Sequence, residues 1–165
     1  MITPGFVRTM AQYNAEMNRR WYAAAGRLSD AQRKAPGGAF WDSLHGTLCH
    51  ILWADRLWMS RFAGWEKPVL TQKQSPGLYA DFGELSAARV QVDDDLIAWA
   101  GGMDQAWLDG ELAWYSGSMR REMRGPRGML VVHMFNHQTH HRGQAHALLS
   151  EMGQDTGDTD LPFVL

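Results

Sequence analysis

Apolar residues recur at three- and four-residue steps through separate blocks of the chain, and that periodicity dictates a helical architecture. In the first block Phe6, Met10, Tyr13, Met17, Trp21, Ala24 and Leu28 mark one face of an amphipathic helix of about five to six turns. It ends near Ser29-Asp30, and Pro36-Gly37-Gly38 marks a turn. The second block runs from Asp42 to Ala63 on Leu44, Leu48, Ile51, Leu52, Leu57, Trp58 and Phe62. Asp42 or Ser43 can cap its start, and Gly64 and Pro68 close it. A polar loop from Glu66 to Ala80 follows. Asp81-Phe82-Gly83-Glu84 then has the spacing of a capping box, and Leu85, Ala88, Val92, Leu96 and Trp99 continue as the third helix until Gly101-Gly102. Leu112 to Tyr115 reads as a strand, Ser116-Gly117-Ser118 as a turn and Met119 to Met123 as a returning strand. Pro126 suits the first turn of a last helix, which stops at Gly153. The tail is expected to be extended, its apolar end suited to tuck against the bundle or a partner.

Four long helices and a small β-hairpin before the last of them define an all-α bundle in a single domain of 165 residues. A chain of this size needs no staple to bury a core. The eight tryptophans are most simply part of that core. Sixteen Lys and Arg against eighteen Asp and Glu leave a net charge of −2, which argues against a protein that wraps nucleic acid or coats an acidic membrane. No apolar run approaches a membrane span, and the first residues lack the apolar centre of a signal peptide. A cytoplasmic, soluble protein is the expectation. The single cysteine, Cys49, excludes an intrachain disulfide or a multi-cysteine metal site, and it reads as a small core residue.

Function is to be sought in the histidines: of seven, five lie between His133 and His146. At about 100° per residue, His137 and His141 are about 40° and one turn apart, so their imidazoles can converge on one ion. His133 lies one turn earlier on the same stripe. His140 is about 100° from His141 and cannot join the pair without distorting the helix, and His146 is about 180° from His137, on a surface or partner-facing side. A third ligand must come from another helix, where only His45 and His50 remain. His50 sits among Leu48, Ile51, Trp53 and Leu57, where an unpartnered imidazole is costly. It is either that third ligand or a core histidine with a partner of its own. No His-Glu-x-x-His, di-iron Glu-x-x-His, phosphate-binding Gly loop or Gly-x-Ser-x-Gly elbow is present.

His137-Gln-Thr-His-His-Arg-Gly-Gln144, preceded by His133-Met-Phe-Asn, resembles the C-terminal helix signature of the DinB family. Leu48-Cys-His50-Ile-Leu-Trp-Ala-Asp-Arg-Leu-Trp58 resembles its second-helix motif, and the hairpin and the closing Leu161-Pro-Phe fit as well. The resemblance implies a DinB/YfiT-like four-helix bundle with up-down-down-up arrangement, often a homodimer. It implies a metal triad of His50, His137 and His141 holding zinc or nickel. Relatives include thiol-dependent isomerases and transferases that use low-molecular-weight thiols, so such a thiol is an expected cosubstrate.

Three neutral imidazoles and an open coordination position suit catalysis on a small molecule, of thiol-transferase or hydrolase type. Gln144 can face a metal-bound water or substrate, or make an interhelical hydrogen bond. His133 can line the pocket, and both are candidate catalytic residues. Arg142 points off the ligand stripe, toward a salt bridge. Arg120, Arg121, Arg124 and Arg127 place four cations within eight residues, a solvated hairpin edge or an anion site. Arg120 and Arg124 are thus candidates for holding the carboxylates of a thiol cofactor. The competing readings are a non-catalytic metal-binding stress-response protein and a DNA-damage-response factor.

Overall fold

The computed structural model describes residues 1–117 and 119–165. In chain order the helices are α1 (Pro4–Gly26), α2 (Asp30–Lys34), α3 (Leu44–Phe62), α4 (Phe82–Gly101) and α5 (Gln105–Asp109). A hairpin of β1 (Glu111–Ser116) and β2 (Arg121–Pro126) precedes α6 (Arg127–Glu151) and α7 (Leu161–Val164). Side chains supply the caps that the periodicity calls for. Ser43 Oγ accepts from Gly46 N at 3.0 Å, and Asp81 Oδ1 accepts from Glu84 N at 2.9 Å.

Pairwise contacts fix the direction of each long helix. Asn18 of α1 meets Asp93 of α4, while Tyr22 meets Phe82, so those helices are antiparallel. Gln138 of α6 meets Asp55 of α3, while His133 meets Trp58, which makes that pair antiparallel too. Phe6 with Phe135 and Trp21 with His146 align α1 and α6 in parallel. The result is the up-down-down-up order, with first and second long helices on opposite corners.

The core holds a polar seam besides its apolar side chains. Arg89 is 2% exposed, donating to Asp55 Oδ2 at 2.6 Å and pairing with Asp93 Oδ1 at 2.8 Å. Gln138 Nε2 donates to the other Asp55 oxygen at 2.8 Å, and Asn18 Nδ2 donates to Asp93 at 2.9 Å. Two aspartates and two arginines (Arg89 and Arg142) lie in the seam, which limits the cost of burying charge. Of the tryptophans, Trp21 and Trp53 are buried, and Trp58, Trp65, Trp99, Trp107 and Trp114 pack against the core from partly buried positions. Trp41 is the exception and lies elsewhere.

Several local expectations are corrected. The tail is not wholly extended: Leu161–Val164 forms a helical turn, because Pro162 sits where its fixed φ starts a helix and lacks only an N–H that would be unused. Pro126 ends β2 and is the N-cap of α6, with ψ 130°, rather than a first-turn residue. The loop after α3 contains a 3₁₀ segment, Gln72–Gly77. In the hairpin Trp114 pairs with Met123, and the second strand starts at Arg121 rather than Met119. Of the expected turn Ser116-Gly117-Ser118, Ser118 lies outside the described residues.

Candidate metal centre

His50 projects from α3 toward His137 and His141 on α6, because the antiparallel packing of these helices sets the middle of one against the middle of the other. The ring centroids are 5.1 Å (His50–His137), 4.7 Å (His50–His141) and 4.5 Å (His137–His141) apart. One nitrogen from each ring falls within a group spanning no more than 4.8 Å. His50 Nε2 lies 3.2 Å from His137 Nε2.

Where the imidazole protons sit decides what this group can do. His50 Nδ1 is 2.8 Å from Ser75 Oγ, whose own proton goes to Gln72 O at 2.7 Å. Ser75 must therefore accept from His50 Nδ1–H, which leaves a lone pair on Nε2. His141 Nδ1 lies 2.9 Å from Gln144 Oε1, an acceptor, so its Nε2 is a lone-pair donor as well. Both rings thus aim unprotonated nitrogens inward. Tetrahedral bonds of about 2.0–2.1 Å would separate neighbouring nitrogens by about 3.3–3.4 Å, close to the His50–His137 separation. The donor set fits a divalent cation.

Burial keeps these rings neutral. It drives His50 down to about 3, with the neighbouring His137 and His141 adding to the effect. His137 is likewise lowered to about 3 by burial and then by its histidine neighbours. For His141 burial also lowers the value, against the opposing hydrogen bond that its Nδ1–H donates to Gln144. Two indoles enclose His50: Trp41 stacks at 4.1 Å and Trp53 at 5.8 Å. Trp41 comes from the irregular segment before α3, where Asp42 takes a φ of 67°. A Cβ at Gly46 would stand 2.8 Å from the Trp41 carbonyl oxygen, so glycine lets that segment close onto the helix.

The other candidates have distinct places. Gln144 makes no interhelical bond among the described residues; it reaches back one turn to His141, and its Nε2 lies 3.3 Å from His140 Nε2. His133 is exposed, 6.1 Å from the His137 ring and 5.1 Å from Trp58. Burial, followed by the charge of Arg61, lowers its pKa. His45 is buried and bonds Tyr79 O at 2.7 Å, while His146 is half-buried against Trp21 rather than turned to the surface. Arg142 forms no ion pair among the described residues: it donates to Asn14 Oδ1 and lies between Tyr13 and Trp21, because its position faces the α1 seam. Arg120 occupies the hairpin turn at φ 52°. Arg124 bonds Glu111 at 3.1 Å on the hairpin face opposite Trp114. Neither arginine makes a contact with the three histidines. Ser75 and Trp41 escaped sequence reasoning, since both lie in irregular segments without a periodic signal. A groove of about 1070 Å³ between Arg56, Trp65, Leu78 and Trp99 contains none of these histidines.

Fold and site together define a helical-bundle protein in which three histidines that could hold a metal ion lie close together. The model of the DinB family matches residues 1–165, and the chain belongs to that family. Among solved structures it is similar to YfiT from Bacillus subtilis, described as a probable metal-dependent hydrolase with an unusual four-helix bundle topology. That similarity has a TM-score of 0.66 at 14% identity, and covers 94% of this chain and 92% of YfiT. No curated protein matches the sequence. No helix is long and apolar enough to cross a membrane among the described residues.

Proposed function

We propose that the protein is a divalent-metal-dependent enzyme acting on a small molecule, with His50, His137 and His141 holding the ion through Nε2. The observation that supports this most strongly is the parking of protons at Nδ1 by Ser75 and Gln144, which leaves converging lone pairs in a closely spaced group. Zinc or nickel is the ion we propose, since both suit imidazole donors. When bound, the ion supplies Lewis acidity undiminished by ligand charge, with a position left for solvent or substrate.

The chain's own groups account for the rest. Ser75 and Gln144 hold the ligand tautomers, as outer partners of metal-binding histidines do. Trp41 and Trp53 keep water from the His50 ring. His133, neutral and at the mouth of the site, is placed to accept or return a proton on a substrate group. Gln144 acts through His141, as a positioning residue. Hydrolysis is the reaction we favour, because YfiT, of the same fold, is described as a probable hydrolase. A second reading is transfer to a low-molecular-weight thiol, in which Cys49 would not be the reacting thiol. That thiol is buried, pushed up to about 11 by burial and 3.7 Å from Tyr79 O, so thiol chemistry here needs a thiol from outside the chain. A homodimer in the cytoplasm completes the proposal.

Elemental analysis of protein purified without a histidine tag tests it, with about one zinc or nickel per chain expected. The variant His137→Ala should lose the metal. Wild-type protein that stays metal-free after incubation with both ions would sink the reading. Cobalt-substituted protein separates enzyme from inert site: azide or a low-molecular-weight thiol should shift its visible spectrum, and an unresponsive spectrum would favour a purely structural metal.

A further inference from the structure

Arg61 stands apart from the other arginines. Every other buried or half-buried arginine among the described residues has an oxygen acceptor: Glu16 for Arg20, Leu28 O for Arg33, Tyr79 Oη for Arg56, and Asp55 for Arg89. Arg127 and Arg142 find Trp107 O and Asn14. Arg61 is half-buried and has no hydrogen bond or ion pair among the described residues. Its guanidinium lies 4.5 Å from the Trp58 ring and 5.9 Å from the Trp114 ring. Burial alone perturbs its pKa, downward, with no carboxylate opposing. A guanidinium offers five N–H donors, and two indole faces satisfy none of them in the plane of the group.

The position of Arg61 connects it to the histidines. It follows His50 by eleven residues on α3, which returns it to within about 20° of the same face, about 16 Å along the axis. The antiparallel α6 supplies the intervening ring: Arg61 touches Trp58, Trp58 lies 5.1 Å from His133, and His133 lies 6.1 Å from His137. A path of successive aromatic rings therefore runs along the α3–α6 seam, from the three-histidine group to a guanidinium with no carboxylate beside it.

We infer that Arg61, with Trp58 and Trp114 beneath it, binds the oxyanion of an elongated small-molecule substrate. The substrate's apolar middle crosses Trp58, and its reacting end meets His133 and the three-histidine site. This rests on the metal-dependent reading above. Here the anion-holding role falls to Arg61 rather than to Arg120 and Arg124. Carboxylate and phosphate share the chemistry that a guanidinium recognises.

The probes are 4-phenylbutyrate, the neutral 4-phenylbutanamide and phenyl phosphate, titrated calorimetrically into the full chain, both zinc-loaded and stripped with EDTA. At least one anion should bind at least about tenfold more tightly than the amide in both forms, as a charge-assisted hydrogen bond allows. Arg61→Gln should erase that preference while zinc stoichiometry is unchanged, and Arg61→Lys should keep part of it. Whichever anion depends more on Arg61 identifies carboxylate or phosphate. In wild-type protein, intermolecular NOEs from the bound probe should fall on the Trp58 or Trp114 indole, a readout independent of any variant. A preference that survives Arg61→Gln, or that exists only with zinc bound, overturns the inference. If the protein takes up no zinc, the metal reading fails, yet the stripped protein still decides the role of Arg61.

Discussion

Stripped of metal, the protein should lose stability as pH falls from 8 to 5, and the three-histidine group should account for much of the loss. His50 and His137 have folded pKa values near 3, below the ordinary 6.5 that unfolding restores. Between those values the unfolded chain binds protons that the folded chain refuses, so stability rises with pH and is lost as pH drops through about 6.5. At pH 5 the gap of about 1.5 units below 6.5 corresponds to about 2 kcal/mol for fully buried His50. His137 is partly exposed and solvent screening reduces its share to about 1 kcal/mol. With a urea dependence of about 2 kcal/mol/M for a domain of this size, the unfolding midpoint should fall by about 1.5 M. Far-UV circular dichroism in EDTA at both pH values measures it. The double variant His50→Leu/His137→Leu should show a pH-induced drop smaller by about the same amount. An equal drop in wild type and double variant would refute the reasoning.

Gln144→Ala should weaken zinc binding by about 10–100-fold with the fold retained, since His141 loses the acceptor for Nδ1–H; competition against a chromophoric chelator reads this directly. Asp55→Ala leaves Arg89 with one carboxylate and Gln138 without an acceptor, and should cost about 3 kcal/mol, or about 6–12 °C in melting temperature by calorimetry. Trp41→Ala uncovers one face of His50, so NMR titration of the metal-free protein should find the pKa of that ring raised toward 6.5.

The histidine spacing made two-thirds of the candidate site legible, because an i, i+4 pair on a helix has only one geometry. His50 was narrowed to two roles by its apolar neighbours and selected by the family motif around it. The polar seam was harder to see. Asp55, Arg89, Asp93 and Arg142 are charged, and charge on a helix normally marks the solvated face. Arg89 and Asp93 nevertheless sit four apart, between Leu85, Val92 and Leu96, and Asn14 and Asn18 stand four apart beside Met17 on α1. Polar pairs at helical spacing on an apolar stripe were the available signal. Trp41 and Ser75 gave none, because their positions depend on a φ of 67° at Asp42 and on a 3₁₀ segment. Arg61 was silent for a different reason: a lone arginine acquires meaning only when its missing acceptor is visible in three dimensions.

X-ray absorption spectroscopy of the zinc-loaded protein tests the central claim most directly. The expected result is a first shell of four oxygen or nitrogen atoms at about 2.0–2.1 Å, with the outer-shell scattering of three imidazoles. In His137→Ala that imidazole scattering should fall or the metal should be lost. A shell containing sulfur, or one built from carboxylates with fewer than two imidazoles, would contradict it.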